Sequence, residues 1–163
     1  MPADGSPDGA GKRESIALTQ FSDLGLAEIL LRALNREGYE TPTSIQTQAI
    51  PHLMQGRDLL GIAQTGTGKT AAFALPLLHT LLGNAKPQRG KVCGLVLVPT
   101  RELAMQVAEA LHKYAKGSHL HVVPVYGGAP MDHQIRALRR GADVVDEVLI
   151  RRGVVPTGGL VAN

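Results

Sequence analysis

Apolar positions along the chain fall into short blocks whose spacing switches between two periods. Leu26, Ile29, Leu30, Ala33 and Leu34 recur at three- and four-residue intervals, which is one face of a helix, and Gly38 supplies its stop. A second short helix is predicted from Pro42-Thr43 through Leu53. Arg57-Asp58 then leads into LLGIA, a continuous apolar run that reads as a buried strand, and Lys69 to Leu82 reads as the helix after it. The same unit recurs. A strand over Val92 to Val98 precedes a helix over Arg101 to Lys116, and a strand over Leu120 to Tyr126 precedes a helix over Met131 to Arg140. Strands alternating with helices predict an α/β fold with right-handed crossovers and a parallel sheet covered on both faces. The flanks lack this patterning. Residues 1–19 are rich in Gly, Pro, Asp and Ser and read as a flexible tail. After Val145 the rhythm breaks, so residues 146–163 read as an aberrant or unstructured tail behind a domain at 20–145.

Composition narrows the class. A chain of 163 residues has room for one domain of ordinary size. Hydrophobic residues at 44% and charged residues at 19% give a soluble globular balance. Aromatic residues are only 3%, so the core must be aliphatic. Lys and Arg exceed Asp and Glu by 17 to 14, which permits nucleic-acid contact without demanding it. The lone cysteine, Cys93, excludes an internal disulfide and a thiolate zinc site, and fits a reducing cytoplasm. Within KVCGLVLVP it reads as a small buried hydrophobe. The first residues lack the apolar core of a secretory signal. The longest near-apolar run, Ala71 to Leu82, is broken by Pro76, His79 and Thr80 and is too short to span a bilayer.

The chemistry concentrates in AQTGTGKT, residues 63–70, between the first predicted strand and its helix. Such a loop can hold the charged phosphates of ATP with backbone N–H groups, and the helix dipole adds positive potential. Glycines let the backbone come close, and Gly66 and Gly68 stand where that is needed. Ala63, Gln64, Thr65 and Thr67 complete the loop. Lys69 should reach the outer phosphates and the Thr70 hydroxyl should ligate Mg²⁺, which makes these two the candidate catalytic residues. The usual pattern opens with Gly where this chain has Ala63, a small residue that still fits. The alternative is a Gly/Thr-rich turn with a chance lysine. Alone, the motif says only that a nucleotide binds.

Upstream lies GYETPTSIQ, Gly38 to Gln46. A glutamine amide can meet the donor and acceptor on one edge of adenine, and Tyr39 could stack on the ring. Equally, Thr43-x-x-Gln46 is a capping box, with Gln46 bonding back to the helix start. This stretch alone leaves both readings open.

Phe21, GYETPTSIQ and AQTGTGKT, in this order and with Phe21 standing 17 residues before Gly38 (38 − 21), resemble the DEAD-box family of ATP-dependent RNA helicases. The resemblance implies that Gln46 and Tyr39 select adenine and that Phe21 braces their segment. Two further stretches agree with it. In PTRELA, Thr100 can cap a helix whose start, with Pro99 and Arg101, would suit an RNA phosphate. In YGG, Gly127 and Gly128 match the family's paired glycines, which approach the RNA backbone. Taken singly, the first is an ordinary cap and the second a turn. The resemblance runs from about Phe21 to Val145. It implies a RecA-like P-loop fold, ATP with Mg²⁺ as cofactors, and RNA gripped along its backbone with little sequence preference and strong salt dependence.

The family's first domain continues with T-P-G-R, D-E-A-D and S-A-T segments, and a second RecA-like domain follows. The sequence contains none of these. The resemblance therefore implies an incomplete RecA-like domain that binds ATP and RNA without hydrolysis or unwinding. The alternatives are a non-catalytic nucleotide- or RNA-binding module, a truncated or frame-shifted gene product, and, last, another P-loop enzyme such as a small-molecule kinase. VVDEVL looks faintly like a D-E-A-D strand, but parallel neighbours need a crossover of a dozen or more residues, so Asp143-Val145 and Asp146-Glu147 cannot be two adjacent strands. Asp146 and Glu147 read as an exposed polar pair rather than Mg²⁺ acids. A parallel sheet lacking strands should be marginally stable or aggregation-prone. His119 and His121 share a strand face and read as half-buried or solvated, and Arg136, Arg139, Arg140, Arg151 and Arg152 read as a solvated basic cluster.

Overall fold

A computed structural model describes residues 20–83, 92–148 and 161–162 of the chain. The helical periodicities become α1 (Glu28–Arg36), α2 (Ser44–Met54), α3 (Lys69–Gly83), α4 (Arg101–Ala115) and α5 (Met131–Arg140), and a 3-10 turn at Phe21–Leu24 precedes them. The strands are β1 (Leu60–Gly61), β2 (Gly94–Val98), β3 (Val122–Val125), β4 (Val144–Val148) and β5 (Val161–Ala162). Each helix lies within a few residues of its predicted span.

β2, β4 and β3 form one parallel sheet in that order, with Val144 opposite both Gly94 and Val122. The chain leaves β2 through α4, skips a strand's width to β3, and returns through α5 to fill the gap with β4. α4 covers one face of this sheet and α5 the other, as expected for a parallel sheet. β1 and β5 pair separately and in parallel, Leu60 with Val161.

The main core lies on the α4 side. α3 is sandwiched between α2 and α4, so Ala72, Ala74, Leu75, Leu78 and Leu81 are all buried. Of these, Ala74, Leu75, Leu78 and Leu81 join Leu30 and Leu34 of α1, Val107 and Leu111 of α4, and Val98, Val122 and Val144 of the sheet in one core. Each fully buried aliphatic chain contributes about 1.5–3 kcal/mol, which lets an aliphatic core do without tryptophan. α3 also fixes the entry to α1, where the Ala27 N–H donates to His79 Nδ1 at 3.0 Å. A smaller cluster of Val123, Ala142 and Val145 sits under α5. No described helix is long and apolar enough to cross a membrane.

Three expectations require correction. LLGIA is not a buried strand. Only Leu60–Gly61 is extended, and Leu60 and Ile62 are 75% and 82% exposed. An apolar run predicts a strand, but burial depends on what packs against it, and β1 stands apart from the three-stranded sheet. Cys93 is exposed, not buried, and lies just before β2, whose own Leu95 is exposed as well, so the apolar run is not buried throughout. Asp146 is fully buried, not exposed at a chain end. β4 continues past Val145 as the middle strand, and the two-residue alternation turns Asp146, like Val144, toward α4. The predicted tail at 1–19, Arg151, Arg152, and residues 149–160 and 163 of the predicted C-terminal tail lie outside the described residues.

Candidate functional site

The loop at 63–70 runs from the end of β1 into the first turn of α3. Gly66 and Gly68 take φ of +78° and +89°, left-handed values that turn successive peptides. Thr67 Oγ1 donates to Gln64 O at 2.8 Å, tying the loop to itself. Lys69 Nζ donates to Ala63 O, so its ammonium reaches from the start of α3 back to the first residue of the loop. Thr70 follows on the same first turn, half-buried. Two left-handed glycines beside the start of a long helix, with an ammonium and a hydroxyl next to them, fit a polyphosphate and its magnesium ion.

The PTSIQ segment closes over this loop. Gln46 Oε1 accepts from the Thr43 N–H at 2.9 Å, and the reciprocal arm from Thr43 completes the capping box of α2. The same amide continues to the phosphate loop, where Gln46 Nε2 donates to Gly68 O at 3.1 Å. Thr43 Oγ1 donates to Thr67 O at 2.8 Å. A Cβ on Gly68 would overlap Gln46 Nε2, so only glycine permits this approach. The capping-box reading of Gln46 is what the structure shows, and its buried amide is tied to the loop at 63–70 as well. A glutamine amide offers two acceptor and two donor sites, and the capping box and Gly68 take one of each. Beside this junction is a cleft of about 390 Å³ lined by Thr43, Ile45, Gln48, Ile62, Ala63 and Thr67.

The aromatic residues go elsewhere. Phe21 is buried in the main core. Tyr39 is half-exposed and stands edge-on to Tyr114 of α4, with ring centroids 6.3 Å apart at 62°. Burial and the adjacent Tyr39 push the Tyr114 phenol up to about 12. Around this contact, Arg36 Nη2 donates to Lys116 O at 3.0 Å and Lys113 approaches Glu37 at 4.0 Å. A 3.0 Å contact with Glu109 raises the Lys113 pKa. Tyr39 thus joins the GYETPTSIQ segment to α4.

The other end of α4 carries the second constellation. Thr100 caps it, with the Leu103 N–H donating to Thr100 Oγ1 at 3.2 Å. Pro99 and Arg101 are exposed beside that cap. Arg101 Nη1 lies 3.5 Å from the place a Gly128 Cβ would occupy, so PTRELA and YGG meet although they come from different strand ends. Gly127 and Gly128 are exposed, and Gly128 takes φ +86°. Periodicity and motif reading passed over Gln134. It is one of three buried polar residues among the described residues, and its amide bonds the backbone of this turn. A glutamine in a helix as polar as MDHQIRALRR carries no signal of burial.

Asp146 does not join either constellation. Neither side-chain oxygen makes a hydrogen bond of good geometry among the described residues, and burial pushes its pKa up to about 7 against a weaker lowering pull from the Ala108 backbone of α4. It lies in the middle of the β2-β4-β3 sheet and not beside β1. His121 is exposed, its N–H donating to Asp143 Oδ2 at 2.7 Å, and His119 is exposed as well. Among the described residues no three His, Cys, Asp or Glu side chains could hold a metal. Arg136, Arg139 and Arg140 are exposed on α5.

Residues 43–149 match a profile described as DEAD/DEAH box helicase. The match takes in the capping box, the loop at 63–70, PTRELA and YGG, while Phe21 and Tyr39 precede it. The ATP-dependent RNA helicase DeaD of Escherichia coli (strain K12) is 54% identical over 128 residues, which are 78% of this chain and 20% of that protein. The DEAD-box ATP-dependent RNA helicase CshA of Bacillus cereus is 45% identical over 128 residues, covering 78% and 24%. The chain thus spans about a fifth to a quarter of the length of these curated relatives. Among solved structures, the RNA helicase Prp28 from Chaetomium thermophilum bound to ADP superposes with a TM-score of 0.73 at 41% identity, over 79% of this chain and 32% of that one. A DEAD box protein from Methanococcus jannaschii gives 0.71 at 34% identity, over 80% and 34%.

Proposed function

Because the chain belongs to the DEAD/DEAH box helicase family, we propose that it forms the ATP-binding and RNA-gripping portion of a cytoplasmic ATP-dependent RNA helicase. The observation that carries this reading is the junction of Gln46 and Thr43 with the carbonyls of Gly68 and Thr67. It supports the reading because a side-chain amide of the kind that can read adenine is hydrogen-bonded to a loop of the kind that can hold phosphates. Gln46 sets the base, with Tyr39 and Phe21 bracing its segment. The backbone from Ala63 to Gly68 cradles the phosphates, and Lys69 leaves Ala63 O to meet the outer ones. Magnesium, held by Thr70, neutralises phosphate charge when bound. Pro99, Thr100, Arg101, Gly127 and Gly128 grip RNA along its backbone, so binding is salt-sensitive and largely indifferent to sequence.

In the 163-residue chain we expect binding without turnover. Hydrolysis needs acids that hold magnesium and orient the attacking water. The sequence offers Asp-Glu only at Asp146-Glu147, and Asp146 is buried in β4. The chain therefore works as a nucleotide- and RNA-binding module unless further residues complete the site.

The test is a titration of ATP and GTP into the chain, with and without single-stranded RNA. ATP should bind at least tenfold more tightly than GTP, and Lys69→Ala should weaken ATP binding by tenfold or more. Equal affinities would remove Gln46 from base selection. RNA-stimulated phosphate release that vanishes in Lys69→Ala would overturn the claim that chemistry is absent.

A further inference from the structure

β3 ends at Val125, and the chain turns through Tyr126–Ala129 before α5 begins at Met131. The turn contains two consecutive glycines and so has little side chain of its own to anchor it. Gln134 of α5 supplies the anchor. Its Oε1 accepts from the Tyr126 N–H at 3.0 Å. Its Nε2 donates to Tyr126 O at 3.1 Å and to Ala129 O at 3.4 Å. The amide thus pairs with both backbone groups of Tyr126, as a neighbouring strand would, and carries the hydrogen bonding past the end of β3. All three bonds go to the turn.

This arrangement is costly to build unless it does something. α5 otherwise meets the sheet through Ala137 and Leu138, which pack on Val123, Ala142 and Val145. A leucine at 134 would extend that apolar contact, whereas a buried amide is tolerated only when its polar atoms are bonded. On the other side of the turn stands Arg101. The turn is therefore fixed from within by Gln134 and faces a guanidinium without.

We infer that Gln134 is a positioning residue for RNA: it holds the Gly127–Gly128 backbone in register with Arg101 so that the two engage one stretch of phosphodiester backbone. This rests on the reading above that this turn and Arg101 face RNA. An unanchored Gly-Gly turn must be ordered at the moment of binding, which lowers affinity without removing any contact to the ligand.

The test uses the 163-residue chain, a fluorescein-labelled single-stranded oligouridine and a fluorescent ATP analogue. Gln134→Leu should weaken oligouridine binding about tenfold and leave nucleotide affinity within twofold. Amide hydrogen exchange should quicken at Tyr126 and Gly128 but not in α3 or α4. Gln134→Glu adds a readout that a packing defect would not move. Its carboxylate accepts from Tyr126 N–H but repels the two carbonyls, while its protonated form keeps the acceptor and adds one O–H donor, which restores one of the amide's two bonds to those carbonyls. Its deficit against the unaltered chain should therefore narrow between pH 8 and pH 5. Arg101→Ala and Gly128→Ala separate the two ideas. If both bind oligouridine as the unaltered chain does, the turn does not face RNA, and the proposal falls with that reading. If both are weakened and Gln134→Leu is not, the reading stands and the proposal alone is overturned. Equal losses of nucleotide and oligouridine binding in a folded Gln134→Leu would also overturn it, since Gln134 would then serve only the fold.

Discussion

Two glycine-bearing turns face outward from this domain, each fixed by a buried glutamine, but they stand on different floors. At the phosphate loop, Gln46 reaches Gly68, and the strand below, β1, is two residues long with exposed side chains on either side of Gly61. At the YGG turn, Gln134 reaches Tyr126, and the strand below belongs to a sheet packed on both faces. A glycine turn gains its shape from a neighbour's amide rather than from its own residues. Its tolerance to damage should depend on the floor, and the better floor contains the worse flaw. Gln46 and Gln134 are buried and bonded; Asp146 is buried with neither oxygen bonded.

The largest effect should come from repairing that flaw. A carboxyl whose pKa moves from 3.8 to about 7 on folding withholds about 4 kcal/mol at neutral pH, at 1.36 kcal/mol per tenfold. The folded state keeps the proton that the unfolded state releases. Stability from this group is therefore full below pH 3.8, falls as the pH rises to about 7, and is flat above that. Asp146→Val, which suits a buried strand, should raise the urea midpoint most at pH 8 and flatten the decline between pH 4 and pH 7. An unchanged midpoint at pH 8 would mean that the carboxyl finds a partner in solution. The same repair tests the expectation that the chain is marginally stable, because a variant that melts cooperatively well above room temperature would trace the weakness to one side chain.

The next effect should fall on the weaker floor. Gly68→Ala places a side chain at φ +89° and displaces the Gln46 amide. Strain of about 1–2 kcal/mol and one lost hydrogen bond of about 1 kcal/mol should together lower nucleotide affinity by tenfold or more. Nucleotide binding that survives would show that the loop does not depend on Gln46 for its shape. The smallest effect should be at the cap of α4. Thr100→Ala removes the bond to Leu103 N–H and should cost about 1 kcal/mol in thermal stability, with a modest loss of RNA affinity.

Much of this was legible in the sequence, and the misses share a cause. Helix α1 follows from periodicity because one face of it is packed, whereas α3, buried between α2 and α4, follows from its place after the loop at 63–70. The capping box at Thr43 and Gln46 was legible because its partners are three residues apart, but its extension to Gly68 was not, being a contact between distant segments. LLGIA and Cys93 were misplaced because burial is a property of neighbours, which a run of apolar letters does not contain. Asp146 was misplaced because a polar pair after the last regular segment reads as solvent-exposed, whereas strand pairing on both sides drew it inward. Gln134 gave no signal, since its partners Tyr126 and Ala129 lie across a turn whose path only the fold defines.

α4 has a consequence beyond packing. Arg101 at its start stands against the YGG turn, while Tyr114 near its end meets Tyr39, in the segment that leads to Gln46. Fifteen residues at about 1.5 Å each make a rod of about 22 Å. Such a rod does not compress, so it works as a ruler: it sets how far apart, and at what mutual rotation, the YGG turn and the Tyr39 segment are held. One residue inserted in its middle would turn one end by about 100° against the other, leaving both intact but out of step.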